Sequence, residues 1–113
     1  MEYYKITERE LWLLRGATVH IAWQVLDEDE EAANIFNHTA MFEIVRSPTA
    51  PEQLYKCTTD DYLFVHGASG TIEMVIPADD TAEWAFNSAW FRLWIYDQHN
   101  TVSRLAQGNI RIG

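Results

Sequence analysis

The residues best equipped for chemistry in this chain are its carboxylates, and five of them stand in one run, Asp27 to Glu31 within LDEDEE. Asp27, Asp29 and Glu31 fall on the first, third and fifth positions of a twelve-residue calcium loop. The match stops there. The sixth position, where glycine makes the sharp turn, is Ala32, and the twelfth, where a bidentate Glu closes the site, is His38. The run is expected to be the solvated tip of a hairpin. His20, His38, His66 and His99 show neither the i, i+2 strand spacing nor the i, i+4 helix spacing of metal ligands. No metal or other cofactor is expected. Ser69, in GASG, lacks the strand-to-helix elbow of a hydrolase nucleophile, because the segment leads into a strand. Carboxylate-pair hydrolysis needs a walled cleft that so short a chain seldom builds, so the chain is not expected to be an enzyme. The lone Cys57 excludes an internal disulfide and fits a small buried strand residue.

The strongest constellation is aromatic. Trp90, Trp94 and Tyr96 alternate on one face of AWFRLWIY, opposite Phe91, Leu93 and Ile95. Such a face either fills the second side of a central strand or offers an aromatic patch to a protein neighbour or, failing that, a sugar.

The elements that position these residues follow from period-two alternation. Val19, Ile21, Trp23 and Val25 share one strand face, with Trp23 and Val25 entering the core before the acidic run and Ile35 and Phe36 re-entering it after. A second strand, Ala40 to Arg46, places Phe42 and Ile44 opposite Glu43 and ends at Ser47-Pro48. Short strands follow over Leu54 to Thr58 and Tyr62 to Val65, then the turn His66 to Gly70, then Thr71 to Ile76 with Ile72, Met74 and Ile76 inward. Asp80 and Glu83 have capping-box spacing and predict one short helical turn. The chain closes on a hairpin around Asp97 to Asn100 whose last arm, Thr101 to Ile112, is expected to bulge at Gly108. About seven strands and one helical turn predict an all-β, antiparallel, immunoglobulin-like β-sandwich over residues 10–113, preceded by an N-terminal arm, 1–9.

With 48% hydrophobic residues in 113, the chain has enough apolar side chain for one well-filled core. Eight basic against seventeen acidic residues give a net charge of -9, which repels phosphate backbones and anionic bilayers, so neither nucleic acid nor membrane is an expected partner. No apolar run approaches the roughly 20 residues of a membrane span, and the polar opening MEYYK lacks a leader pattern, so synthesis in a cytoplasm is expected.

The order of pieces is similar to one family. RGATVHIAWQV leads through the acidic turn to NIFNHTAMFEIVRSP, then GTIEMVIPADDTAEW, then AWFRLWIYDQHNTVSRLAQGNIRI. This resembles the small β-sandwich domains of tailed-phage virion proteins, including the N-terminal domain of upper baseplate proteins and the collar proteins of lateral tail fibres. The resemblance spans Arg15 to Ile112. Asn34 to Asn37 lacks the corner glycine often found there, and Tyr3 to Leu14 has no counterpart. The resemblance implies a non-enzymatic structural protein of a virion, docking onto other virion proteins as a homo-oligomer. Arg46, Asp79, Thr81, Asp97, Arg104 and Gly108, at the matching positions, are implied to set the fold. Partner contact is expected at Trp90, Trp94 and Tyr96 or through the arm with Tyr3 and Tyr4. A carbohydrate-binding module and a capsid decoration protein are the competing readings.

Overall fold

The computed structural model of the chain describes residues 7–50 and 52–113. Nine strands and one helix follow in order: β1 Thr7–Glu8, β2 Leu11–Leu13, β3 Val19–Gln24, β4 Thr39–Val45, β5 Gln53–Thr58, β6 Leu63–His66, β7 Thr71–Ile76, α1 Ala78–Ala82, β8 Ser88–Tyr96 and β9 Val102–Ile112. They form an all-β sandwich. The larger sheet has six strands in the order β1-β9-β8-β4-β5, with β2 also paired to β9, and the smaller has β3-β7-β6.

Alternation in the sequence becomes burial in the fold. Ala89, Phe91, Leu93 and Ile95 of β8 face the smaller sheet, whose Val19, Trp23, Ile72, Met74 and Ile76 face back, and all are buried. Phe42 links the layers, its ring stacked 5.7 Å from Phe91 and tilted 5.9 Å from Trp23. Cys57 lies buried in the same core with its Sγ 3.8 Å from Met74 Sδ. Burial pushes its thiol up to about 12, as an inert structural cysteine requires.

Four expectations are corrected. First, the sheets are not antiparallel throughout: β1 and β2 both run parallel to β9, Thr7 opposite Ala106 and Leu11 opposite Ile110. The last part of the segment expected as an arm is thus hydrogen-bonded into the sheet as β1, while Tyr3 and Tyr4 lie outside the described residues. Second, Asp80 does not cap the helix. Pro77, fixed at φ -67° and extended, precedes the first helical residue, and its carbonyl accepts the N–H groups of Asp80 and Thr81. The Asp80 carboxylate instead accepts the Tyr55 hydroxyl at 2.8 Å. Third, β9 runs unbroken through Gly108, and its bulge lies at Leu105, where Leu93 opposes Ala106 but Trp94 opposes Arg104. Gly108 is required for a different reason: a Cβ there would stand 1.7 Å from the carbonyl oxygen of Arg9, where the N-terminal strands cross onto β9. Fourth, Ile35 is fully buried but Phe36 is exposed. Asn34 Oδ1 accepts the Phe36 N–H, turning the chain so that the two neighbours face opposite ways.

Candidate functional site

β8 lies between β4 and β9, so its outward side chains are flanked on both sides by strands of the same sheet. Trp90, Arg92, Trp94 and Tyr96 all point away from the core and are half-buried. Their neighbours come from the register: Glu43 opposite Arg92 on β4, Met41 opposite Trp94, Lys56 of β5 opposite Glu43, and Arg104 of β9 opposite Trp94. Trp12 joins the same face from β2, 71% exposed, with the Arg111 guanidinium 5.5 Å from its ring centroid. The three strand residues expected to meet a partner are therefore brought together on the outer face of the larger sheet, which no other element among the described residues covers. This is the second side of a central strand and also a surface.

The centre of the face is held rigid by a polar network. Glu43, only 9% exposed, accepts Trp94 Nε1–H at 2.7 Å and a Gln53 amide N–H at 3.1 Å, with Arg92 Nη1 3.9 Å away. A buried carboxylate without such partners would cost several kcal/mol, roughly. The Arg104 guanidinium lies 4.5 Å over the Trp94 ring and donates from Nη1 to Gln107 Oε1 at 2.8 Å. Arg92 Nη2 donates to the Pro48 carbonyl at 3.3 Å, tying the β4–β5 loop onto the sheet. Glu8 receives the Gln107 amide at 3.2 Å and completes the network toward β1. Alternation alone assigned Trp94 to the outer face. The Trp94–Glu43 and Arg104–Trp94 contacts need the β4-β8-β9 strand order and the bulge at Leu105, neither of which leaves a local signal in the sequence.

The acidic run is an exposed loop tip, as expected, but the strands it joins are not a hairpin pair, since β3 and β4 belong to different sheets. A bridge from Leu26 to Ala32 closes it, and Asp27 Oδ1 accepts the N–H groups of Asp29 at 2.8 Å and Glu31 at 3.1 Å. Among the described residues, no group of three or more His, Cys, Asp or Glu side chains is arranged to hold a metal.

Two histidines do converge, which spacing did not reveal. On the outer face of the smaller sheet, Glu73 of β7 bonds His20 of β3 at 2.5 Å through one oxygen and His66 of β6 at 3.3 Å through the other. The bond to His20, then the one to His66, hold the Glu73 carboxyl below its ordinary value. The carboxylate bridges the two rings, one oxygen to each. An open groove of about 320 Å³ lies between β2 and β3, lined by Trp12, Leu14, Val19 and Ile21 among others.

Comparison with protein-family models and with characterised proteins finds no match for this chain.

Proposed function

We propose that this chain is a non-enzymatic structural protein of a phage virion, a tail, collar or baseplate component that presents a rigid sandwich face to other virion proteins. The ordered motifs from Arg15 to Ile112 support the class. One observation carries the mode of action: Trp90, Trp94 and Tyr96 sit together, half-buried, on a face of the six-stranded sheet that no other element among the described residues covers, with Arg92 and Arg104 fixed among them. Aromatic and arginine side chains already held in one rotamer lose little entropy on docking and are the usual energetic centre of protein interfaces. A sugar platform is less well supported, because Arg104 covers the Trp94 face on which a pyranose would stack.

The test is incorporation into particles. Wild-type chain supplied during infection co-purifies with virions, whereas Trp94→Ala, folded by circular dichroism, is lost from them, with docking weakened about 30-fold, the equivalent of about 2 kcal/mol for a central aromatic. A wild-type chain absent from purified particles overturns the proposal. Glycan-array binding abolished by Trp90→Ala would replace it with the carbohydrate reading.

A further inference from the structure

Each sheet ends in two edges, and three of the four carry a feature that discourages a further strand. β5 bears Lys56 and pairs with β4 through a register shift between Ile44 and Val45. β6 is four residues long, and β1 and β2, of two and three residues, are interrupted by Arg9 and Glu10. β3 has none of these features. Its six residues, VHIAWQ, include no lysine, arginine, proline or glycine, and they keep unbroken register with β7 from Val19 opposite Ile76 to Gln24 opposite Thr71. Backbone alternation decides which of its groups are free. Val75 N–H donates to the Tyr62 carbonyl at 3.0 Å, so the backbones of Ile72, Met74 and Ile76 turn the other way, toward Trp23, Ile21 and Val19 of β3. The N–H and C=O groups of His20, Ala22 and Gln24 therefore point away from β7, and no backbone group among the described residues bonds them. All three residues are exposed.

We propose that the edge of β3 is a docking site separate from the Trp94 face, and that it accepts an extended segment of a different protein, apolar at every second position and carrying a carboxylate for Arg9. The backbone specifies the conformation, because a row of alternating donors and acceptors is matched in spacing by another strand. The groove of about 320 Å³ between β2 and β3 specifies the side chains. Trp12 and Leu14, 71% and 65% exposed, stand on one wall and Ile21 on the other, so alternate side chains of an added strand meet apolar surface. Charge specifies the rest. Of the ionisable residues lining the groove, Glu10 is paired with Arg111 at 3.0 Å and His20 is bonded to Glu73. Arg9 is exposed and its side chain makes no hydrogen bond or ion pair among the described residues. The groove thus has one uncompensated charge, and it is positive. With a screening length of about 8 Å at physiological salt, an acid bound there is attracted by Arg9 more than it is repelled by the distant carboxylates. A second copy pairing β3 to β3 would leave Arg9 unmatched, since VHIAWQ carries no acid.

Amide exchange and peptide binding on the purified full chain test the proposal. In the dilute free chain the amides of His20, Ala22 and Gln24 exchange fast while those of Ile21 and Trp23 exchange slowly. The probes are two synthetic peptides with valine at every second position and threonine between, one bearing a central aspartate and the other a central lysine. The aspartate peptide slows exchange at the three edge amides and binds at least about tenfold more tightly than the lysine peptide. Arg9→Glu reverses that preference. Ala22→Pro removes an edge N–H that has no partner in the fold, a place where strands tolerate proline, and weakens aspartate-peptide binding at least about tenfold. Trp94→Ala leaves it unchanged. Edge amides that are already slow in the dilute free chain overturn the proposal, as do edge amides that become slow only when the chain is concentrated, which would make a second copy the occupant. So does a peptide that fails to bind, that binds with the edge amides still fast, or that binds with no regard to the charge at position 9.

Discussion

Thr81 carries a hydroxyl with no exposure to solvent at a point where two chain segments meet. Its Oγ1 accepts the Gly16 N–H at 3.0 Å and donates to the Ala17 carbonyl at 2.8 Å, holding the turn after β2 against α1. Val has nearly the same shape and neither bond. Thr81→Val leaves two backbone groups without their partner and is expected to lower stability by about 1–3 kcal/mol in urea denaturation. Asp97 does comparable work at the β8–β9 turn, where one carboxylate oxygen accepts N–H from His99 at 2.8 Å and Thr101 at 2.9 Å. The backbone bond from Thr101 is the main reason its carboxyl sits below the ordinary 3.8. A depressed carboxyl stabilises the fold at pH values above its unfolded value, and that contribution disappears as pH falls through the folded one. Wild type is therefore expected to melt above Asp97→Asn at about pH 7 and together with it at about pH 2. A gap that persists in acid would assign the effect to shape instead of charge.

At the scale of elements, strand faces were legible in the sequence and strand partners were not. Val19, Trp23 and Val25, or Phe91, Leu93 and Ile95, are fixed inward by alternation because a slip of one residue would expose every one of them. The pairing of β1 and β2 with β9 spans almost the whole chain, and no local pattern encodes it. The Glu43 site was hidden for the same reason: a Glu at an outward position of a strand gives no sign that a tryptophan 51 residues later will bury it. Asp80 misled for a local reason, since Pro77 had already begun the helix. Gly108 was correctly marked as special but for the wrong geometry, because close approach of Arg9 and a bulge both call for glycine. Its true role is testable. Gly108→Ala is expected to push the N-terminal strands off β9 and cost about 1–3 kcal/mol. In hydrogen exchange the amides of Arg9 to Leu13 lose protection, while those of β4 and β8 keep theirs. Uniform loss across both regions would mean that β1 and β2 are integral to the core sheet.

The whole molecule has one core shared by two unequal sheets. Three strands, β3-β7-β6, have only the inner face of the larger sheet to cover their apolar side, and an isolated three-stranded sheet of this length has little else to stabilise it. The two layers should therefore melt together, with no state in which the larger sheet stands alone. Phe42 is the residue that tests this, because its ring touches Phe91 within its own sheet and Trp23 across the sandwich. Truncation of a fully buried Phe costs about 3–5 kcal/mol, a large part of the roughly 5–15 kcal/mol that holds a domain together. In Phe42→Ala, fluorescence from buried Trp23 and Trp84 and far-ultraviolet circular dichroism from all strands are expected to move to lower denaturant by the same amount. Divergence of the two curves, with fluorescence lost first, would show the smaller sheet peeling away from a larger one that persists without it. Coincidence would make the sandwich a single rigid body, which is what a face held by Glu43, Arg92 and Arg104 needs if it is to dock without rearrangement.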